Sequence, residues 1–219
     1  MSDIRQIGVS RTLLWAEFVG FYFAIPLAVA LFLPPGRLFE ALFVFMLGGL
    51  GLLWITPGFE WKELLRGWRA TDWPRVGLLA LVTAVAGVAV MQATAPERMF
   101  SLLDRPGTLL TIALFYPLLS ALPQEVVFRA LYFRRYRDIL PEGVPGLLLN
   151  AAIFALAHLM YWSSIVMVMT FAGGFAFAWA HSVRRSFPMA WVMHTLAGLI
   201  VFAVGLGVYF YSGNAVRPF

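Results

Sequence analysis

The chain has 219 residues, of which 61% are hydrophobic and 12% are charged, and its mean hydropathy is +0.82. Soluble domains average about 45–50% apolar and about 25% charged residues. A water-soluble fold of this size has too little interior to hide so much apolar surface, so soluble and disordered classes are excluded. The chain contains no cysteine, which excludes disulfides and thiolate metal sites. The composition therefore predicts a polytopic integral membrane protein.

Long continuous apolar runs predict helical spans, because a transmembrane barrel would show short segments of alternating polarity. We predict an all-α transmembrane helical bundle of about seven or eight spans. In chain order, the seven main spans are residues 13–33, 39–56, 76–95, 108–132, 144–161, 164–181 and 188–211. Residues 59–73 mix Trp and Leu with Lys, Glu and Arg, which predicts a short amphipathic helix in the membrane interface.

The distribution of basic residues predicts the orientation of the chain. If the N-terminus lies in the cytoplasm and seven spans alternate, twelve of the 16 Lys and Arg residues, Arg5 among them, lie on the inner side. The other four are Arg37, Arg98, Arg105 and Arg217. Because cytoplasmic loops carry the excess of Lys and Arg, we predict a multi-pass protein of the cell membrane with its N-terminus inside and its C-terminus outside. The net charge of +5 then reflects topology, and nucleic acid is not a predicted partner.

Ionisable side chains within spans cost about 2.5–3.5 kcal/mol on insertion scales, so each is a functional candidate. In this chain they are Glu17, Glu125, Arg129, His158, His181 and His194. Glu17 and His181 lie near the inner surface, where pairing with an arginine and simple solvation are their expected roles.

The fourth and fifth spans carry polar residues at helical spacing. Glu125 and Arg129 are four residues apart with the acid first, which is the favourable order for a pair on one helix face. Asn150, Phe154 and His158 also repeat every four residues and share a face. Taken separately, these features are typical of an ion pair near the inner interface and of a hydrogen-bonded histidine in a packed helix.

Taken together, the carboxylate of Glu125 and the imidazoles of His158 and His194 indicate chemistry on water. Such chemistry needs one group that takes a proton from water and others that hold a developing oxyanion. The same three residues would be the ligands of a divalent metal such as zinc, if one bound. Their spacing does not match the zinc-helix motif His-Glu-x-x-His, so no metal is indicated.

Three motifs in this region resemble those of the CPBP family of intramembrane proteases, which comprises CAAX proteases and bacteriocin-processing enzymes and is often called Abi. The motifs are Gln124-Glu125-x-x-x-Arg129, Phe154-x-x-x-His158, and His194 in a later span. The resemblance covers residues 120–198. It implies an all-helical intramembrane endopeptidase with a water-filled cavity open toward the cytoplasm, in which glutamates and two histidines activate water against a peptide carbonyl.

The resemblance also implies the residue roles and the partners. The predicted catalytic residues are Gln124, Glu125, His158 and His194, supported by Arg129, Asn150 and Phe154. The expected partners are the lipid bilayer and a membrane-associated peptide or protein substrate, and the participation of a divalent metal stays open. Within one integral membrane domain, residues 108–211 would form the catalytic core, and residues 1–107 would supply the N-terminal spans and the interfacial helix.

Two positions depart from the family pattern. The first motif usually opens with two glutamates, and the first is here Gln124, whose carboxamide cannot take a proton. Either Glu125 does the work, or the protein is inactive, or the glutamine is an engineered replacement. Gly198 stands where the family often has an asparagine that helps to bind the oxyanion, and Asn150 is a candidate substitute.

The leading hypothesis is an active intramembrane protease with Glu125 as the working base. The main alternative is a catalytically inactive membrane scaffold of the same fold, which Gln124 favours. A small proton-coupled transporter, with Glu125 and His158 as its relay, is a further alternative. Such transporters often contain internal repeats, and we find none in the sequence.

Overall fold

A computed structural model of the protein describes residues 9–215. Over these residues the chain is helical, with turns and loops between helices and no strand. Arg5 and Arg217, which entered the orientation count, lie outside the described residues.

Eight helices follow one another in the described part of the chain. They are α1 (Arg11–Phe32), α2 (Leu38–Trp54), α3 (Trp73–Thr94), α4 (Pro106–Arg135), α5 (Gly143–Ala157), α6 (Ser164–Ser182), α7 (Phe187–Val204) and the short α8 (Gly207–Phe210). Helices α1, α3, α4, α6 and α7 are long and apolar enough to cross a membrane, as is α5 with its continuation to Tyr161. Helix α2 is apolar but has only 17 residues. The predicted all-α membrane bundle is confirmed.

Helix ends follow local sequence rules. The side chains of Ser10, Asp72, Ser163 and Ser186 each accept a backbone N–H in the first turn of the helix they precede. Helix α7 ends before Gly205, whose φ of +104° is a left-handed conformation that favours glycine. The predicted seventh span, 188–211, is therefore too long, and its last residues belong to the separate helix α8.

The segment between α2 and α3 does not form the predicted amphipathic helix. It contains two short 3₁₀ turns, Trp61–Leu65 and Trp68–Ala70. They are separated by Gly67 at φ +86°, where a Cβ would lie 2.7 Å from the Cβ of Ser186. The Ser186 hydroxyl also donates to the Gly67 carbonyl at 3.0 Å. This close approach ties the segment to the start of α7, and the left-handed glycine interrupts any continuous helix.

Helix α4 is irregular where the first motif lies. It contains two wide π-helical turns, Pro117–Ala121 and Val126–Leu131. Because Pro117 has no backbone N–H, it cannot complete the regular hydrogen-bond ladder. The turns flank the α-helical segment Leu122–Glu125, so the motif sits between two changes of helical phase. Such turns occur frequently at functional sites.

The second half of α4 forms the centre of the bundle. Residues Val126–Leu131 are all buried, and residues of α1, α2, α5 and α6 pack around them. The hydroxyl of Tyr22 in α1 donates to the carbonyl of Val127 in α4 at 2.7 Å. Nearby, the Phe18 ring packs against Tyr132 and Tyr136, with centroids 6.0 and 5.5 Å apart.

A buried ion pair joins α1 to the end of α4. Arg135 Nε and Nη2 donate to the two carboxylate oxygens of Glu17 at 2.7 and 2.9 Å. Its Nη1 donates to the Thr56 hydroxyl at 3.1 Å. The expected pairing of Glu17 with an arginine is confirmed, and this pair holds helices together away from the motif residues.

Candidate active site

A buried carboxylate and imidazole join α4 to α7. Glu125 is fully buried, and its Oε1 lies 2.9 Å from Nδ1 of His194. Because a carboxylate only accepts hydrogen bonds, Nδ1 carries the proton in this contact. In the neutral ring, Nε2 of His194 is then the nitrogen with a free lone pair.

Aromatic rings on three helices hold the imidazole of His194. Phe177 stacks on it, with centroids 4.8 Å apart and 11° between the planes. Phe154 meets it edge-on at 5.5 Å and 90°, and Tyr116 does so at 6.2 Å and 75°. Rotation of the imidazole would disturb this packing, so the rings maintain the orientation that the bond to Glu125 requires.

Arg129 lies behind the carboxylate. Its Nε is 3.4 Å from Glu125 Oε2, an ion pair without hydrogen-bond geometry. Its Nη1 donates to the Asn150 side-chain oxygen at 2.6 Å, and the Asn150 amide donates to the Phe128 carbonyl at 2.7 Å. The guanidinium carbon lies 4.7 Å from the Phe154 ring centroid, a cation–π contact. Asn150 is buried and does not line the cavity, so it is not placed to donate to a substrate oxygen.

His158 follows the last residue of α5. Its Nδ1 donates to the Phe154 carbonyl at 2.7 Å, since a carbonyl only accepts. The His158 ring lies 4.7 Å from the Phe154 ring and 6.0 Å from the Tyr161 ring, between centroids. Phe154 thus packs against both imidazoles, and the sequence-predicted residues Glu125, Phe154, His158 and His194 form one connected group.

A cavity of about 930 Å³ lies beside this group. His158 and His194 line it, together with Gln124, Ser120 and Tyr116. The rest of its wall consists mainly of apolar side chains, many of them from α1 and α2. Glu125 does not line the cavity, and its contact with His194 is its link to the cavity wall.

The two adjacent motif residues therefore differ in position. The Gln124 side chain reaches the cavity, where its Nε2 donates to the Ser120 hydroxyl at 3.1 Å. Successive residues on a helix are separated by about 100°, so Glu125 points to a different side of α4. The structure places the carboxamide toward the cavity and the carboxylate toward His194.

The donor set does not form a three-ligand metal site. Within residues 9–215, no group of three His, Asp or Glu side chains could hold a metal ion. Nδ1 of His194 is engaged by Glu125, and Nδ1 of His158 by the Phe154 carbonyl, which leaves Nε2 of each ring free to face a ligand. Glu125 is directed to His194 and not to a point shared with both rings, so the predicted trio does not form one ligand set.

His181 lies apart from this cavity. Its ring stacks on Phe133 with centroids 5.5 Å apart, and its Nδ1 is buried without a hydrogen-bond partner in the described residues. The expectation that His181 is merely solvated is wrong, because the turn that follows α2 contributes Phe59 and Glu63 to a small pocket around it.

Sequence reasoning missed Tyr116 and Phe177, both of which contact the ring of His194. One sequence feature points to Phe177. A Cβ at Gly174 would lie 2.9 Å from the Phe154 ring, so this glycine allows α5 and α6 to approach closely. The pair Gly173-Gly174 therefore predicts a tight contact between these helices, and Phe177 lies one turn further along α6. Nothing in the sequence marks Tyr116 in the same way.

The fold and the site together define a multi-pass helical membrane protein with a buried Glu–His pair at the wall of an internal cavity. Residues 106–200 match the family described as Rce1-like, type II CAAX prenyl endopeptidase. This segment contains all four predicted catalytic residues, and the match confirms the resemblance to CAAX proteases predicted from the motifs. The match supports a membrane protease at this general level. No curated protein and no solved structure matches it.

Proposed function

We propose that this protein is an active intramembrane endopeptidase of the CAAX type that hydrolyses a peptide bond in a membrane-associated substrate. The observation that carries the proposal is the 2.9 Å contact between Glu125 and His194 at the wall of the cavity. The similarity of residues 106–200 to CAAX prenyl endopeptidases supports the same reaction. A buried carboxylate that orients an imidazole is a recurrent way to activate a nucleophile.

In this proposal, His194 is the general base and Glu125 acts through it. Glu125 does not line the cavity, so it is badly placed to take a proton from a water molecule there. Nε2 of His194 takes that proton, and the carboxylate stabilises the imidazolium that forms. Arg129, 3.4 Å from the other carboxylate oxygen, favours the ionised state of Glu125. This assignment replaces the prediction that Glu125 itself is the base.

The other two predicted catalytic residues position the water. With Nδ1 of His158 donating to a backbone carbonyl, its Nε2 is an acceptor for one water hydrogen. Gln124 lines the same cavity and cannot take a proton, so it contributes only hydrogen bonds. The glutamine is therefore compatible with activity, because the proton acceptor is on α7.

The cavity wall supports a lipid-modified substrate. Side chains of Ile25, Val29, Leu42 and Phe45 give the part formed by α1 and α2 an apolar surface. An isoprenoid chain attached near the scissile bond would exchange lipid tails for these side chains, so the apolar wall accepts it without a desolvation cost. We therefore propose a prenylated C-terminal peptide as the substrate class.

The test is hydrolysis of a fluorogenic farnesylated peptide by the purified protein in lipid vesicles. We expect turnover by the native chain and a loss of about 10²–10⁴-fold in His194→Ala, since removing a general base typically costs this much. His181→Ala is the matched control, because this histidine does not line the cavity. A folded native chain without turnover would reject the active enzyme and favour the inactive scaffold.

The same assay addresses the metal. We propose a metal-free reaction, because no group of three His, Asp or Glu side chains that could hold a metal ion is found in residues 9–215. Dialysis against a chelator should leave turnover unchanged. A loss that zinc restores would assign a metal to the site.

We also propose the predicted orientation, with the N-terminus in the cytoplasm. Because the chain has no cysteine, single cysteines report membrane sidedness without background. An impermeant maleimide should label Arg66→Cys from the cytoplasmic side and Arg98→Cys from the other side. The opposite labelling pattern would overturn this orientation.

A further inference from the structure

Tyr116 occupies the space that a side chain at position 198 would fill. Gly198 lies in α7, one turn after His194. A Cβ built on Gly198 would overlap the ring and the hydroxyl of Tyr116. Both residues line the cavity that contains His158 and His194. The absence of a side chain at Gly198 is therefore what allows the Tyr116 hydroxyl to reach the cavity next to His194.

Contacts between α4 and α7 hold Tyr116 in this place. Pro117, the next residue, begins the first π-helical turn of α4, and its carbonyl accepts from Trp191 Nε1 at 2.8 Å. The Tyr116 ring itself meets His194 edge-on at 6.2 Å and Phe202 at 5.9 Å, between centroids. The ring is thus fixed between two residues of α7 on either side of Gly198.

The hydroxyl of Tyr116 has no hydrogen-bond partner among residues 9–215, and it is not sealed from the cavity. Asn150 does not line the cavity, and one of the two N–H groups of Gln124 is taken by Ser120. A neutral donor with a free O–H in an apolar cavity is suited to a developing negative charge, because such bonds are strong where water is excluded.

We propose that Tyr116 is a catalytic residue that donates its O–H to the carbonyl oxygen of the scissile peptide bond. This rests on the proposed function. Water oxygen bonds to the carbonyl carbon, its proton passes to Nε2 of His194, and the carbonyl π electrons move to the oxygen that Tyr116 binds. Collapse of this intermediate breaks the C–N bond, and the imidazolium returns its proton to the leaving nitrogen.

The first test is the kinetics of Tyr116→Phe on the farnesylated peptide. We expect kcat to fall by about 10²–10³-fold with KM unchanged, the usual effect of removing one oxyanion donor. Tyr209→Phe is the matched control, since Tyr209 packs outside the cavity against the Met91 cluster. His194-dependent turnover with an unchanged kcat in Tyr116→Phe would overturn the role of Tyr116 while leaving the proposed function intact.

The second test moves the donor to the facing helix. Tyr116→Ala empties the space over Gly198, and adding Gly198→Asn places an amide there. We expect the double variant to recover at least about tenfold in kcat over Tyr116→Ala, because one hydrogen bond to a charged oxygen is restored. Gly198→Asn alone should be impaired, since its side chain overlaps Tyr116. No recovery in a folded double variant would contradict the proposal.

A binding measurement tests whether the Tyr116 hydroxyl binds the oxyanion, and it does not require turnover. The probe is a farnesylated peptide trifluoromethyl ketone, whose hydrate mimics the tetrahedral intermediate, compared with the corresponding amide. We expect Tyr116→Phe to weaken binding of the ketone by about tenfold and to leave the amide unchanged. Equal affinities for the ketone in the native and variant chains would overturn the proposal, even if the native chain hydrolyses nothing.

Discussion

Helix α4 contributes an arginine to each of two ion pairs, one fully buried and one partly buried, and the pairs differ in the completeness of their hydrogen bonding. Arg135 directs Nε and Nη2 to Glu17 and Nη1 to Thr56. Arg129 also pairs with an acid, Glu125, but Nε and Nη2 of its guanidinium have no hydrogen-bond partner in the described residues. Two arginines on one helix, about two turns apart, thus pair with acids in different ways.

The difference separates an ion pair that holds helices together from one that belongs to a site. Both carboxylate oxygens of Glu17 accept from Arg135, in a bidentate pair. Glu125 gives one oxygen to His194, and the other only approaches Arg129. A buried acid that an arginine does not saturate retains the capacity to orient an imidazole. Completeness of hydrogen bonding, rather than burial alone, distinguishes the two.

The largest expected effect is on catalysis at the incomplete pair. Glu125→Gln should lower turnover per folded molecule by about 10²–10⁴-fold, because the neutral amide cannot stabilise an imidazolium. Folded yield should fall as well, because buried Arg129 loses its counter-charge. Glu17→Gln is the matched variant, and its folded fraction should keep native turnover. Turnover and thermal unfolding in detergent are measured for both. Equal losses of turnover in the two variants would show that the two ion pairs do not differ in function.

Arg129→Ala should damage both folding and activity. Removing one partner of a buried pair leaves an uncompensated charge and typically costs about 3–5 kcal/mol. Since Arg129 also holds Asn150 and lies over Phe154, folded yield and turnover per folded molecule should both fall. A variant with normal yield and normal turnover would remove the argument that Arg129 supports Glu125.

Arg135→Ala should reduce stability less than Arg129→Ala does and should leave turnover unchanged. The Glu17 side chain is 20% exposed, so water can solvate it when Arg135 is removed. We expect the free energy of unfolding to fall by about 1–3 kcal/mol. Turnover of the folded fraction should stay native, since neither residue contacts the cavity. A specific loss of turnover would show that this pair also belongs to the site.

The smallest effect is expected at Gln124. If His194 is the base, Gln124→Ala and Gln124→Glu should each change kcat by less than about tenfold, because position 124 only positions the water. A gain of about 10² or more in Gln124→Glu would instead assign the base to position 124. The same result would show that the native chain is a weakened enzyme.

The sequence predicted the spans well, because a spanning helix can be recognised from the length of its apolar run alone. The third span, predicted as 76–95, is Trp73–Thr94 in the structure. The amphipathic segment failed for a tertiary reason, since Gly67 takes a left-handed conformation to approach Ser186, more than 100 residues away. Contacts of this kind leave no periodic pattern in the sequence.

The residues of the candidate site could be identified from the sequence, but their spatial arrangement could not. The rarity of ionisable residues within spans and the resemblance to the family motifs gave Glu125, His158 and His194, and the structure brings them into one connected group. The sequence could not show which of Gln124 and Glu125 reaches the cavity. The π-helical turns on either side of them change the direction in which successive side chains of α4 point. Tyr116 escaped notice because its importance depends on a missing side chain at Gly198, on another helix.

The length of α2 has a consequence for the surrounding bilayer. Its 17 residues extend about 25 Å, whereas the hydrocarbon core of a bilayer is about 30 Å thick. A short span is matched by local thinning of the lipid, at modest cost. The first three turns of α2 line the cavity, so the thinned lipid would lie at its side. The distance between the aqueous phase and the scissile bond is thereby shortened at the place where a polar peptide must leave the water.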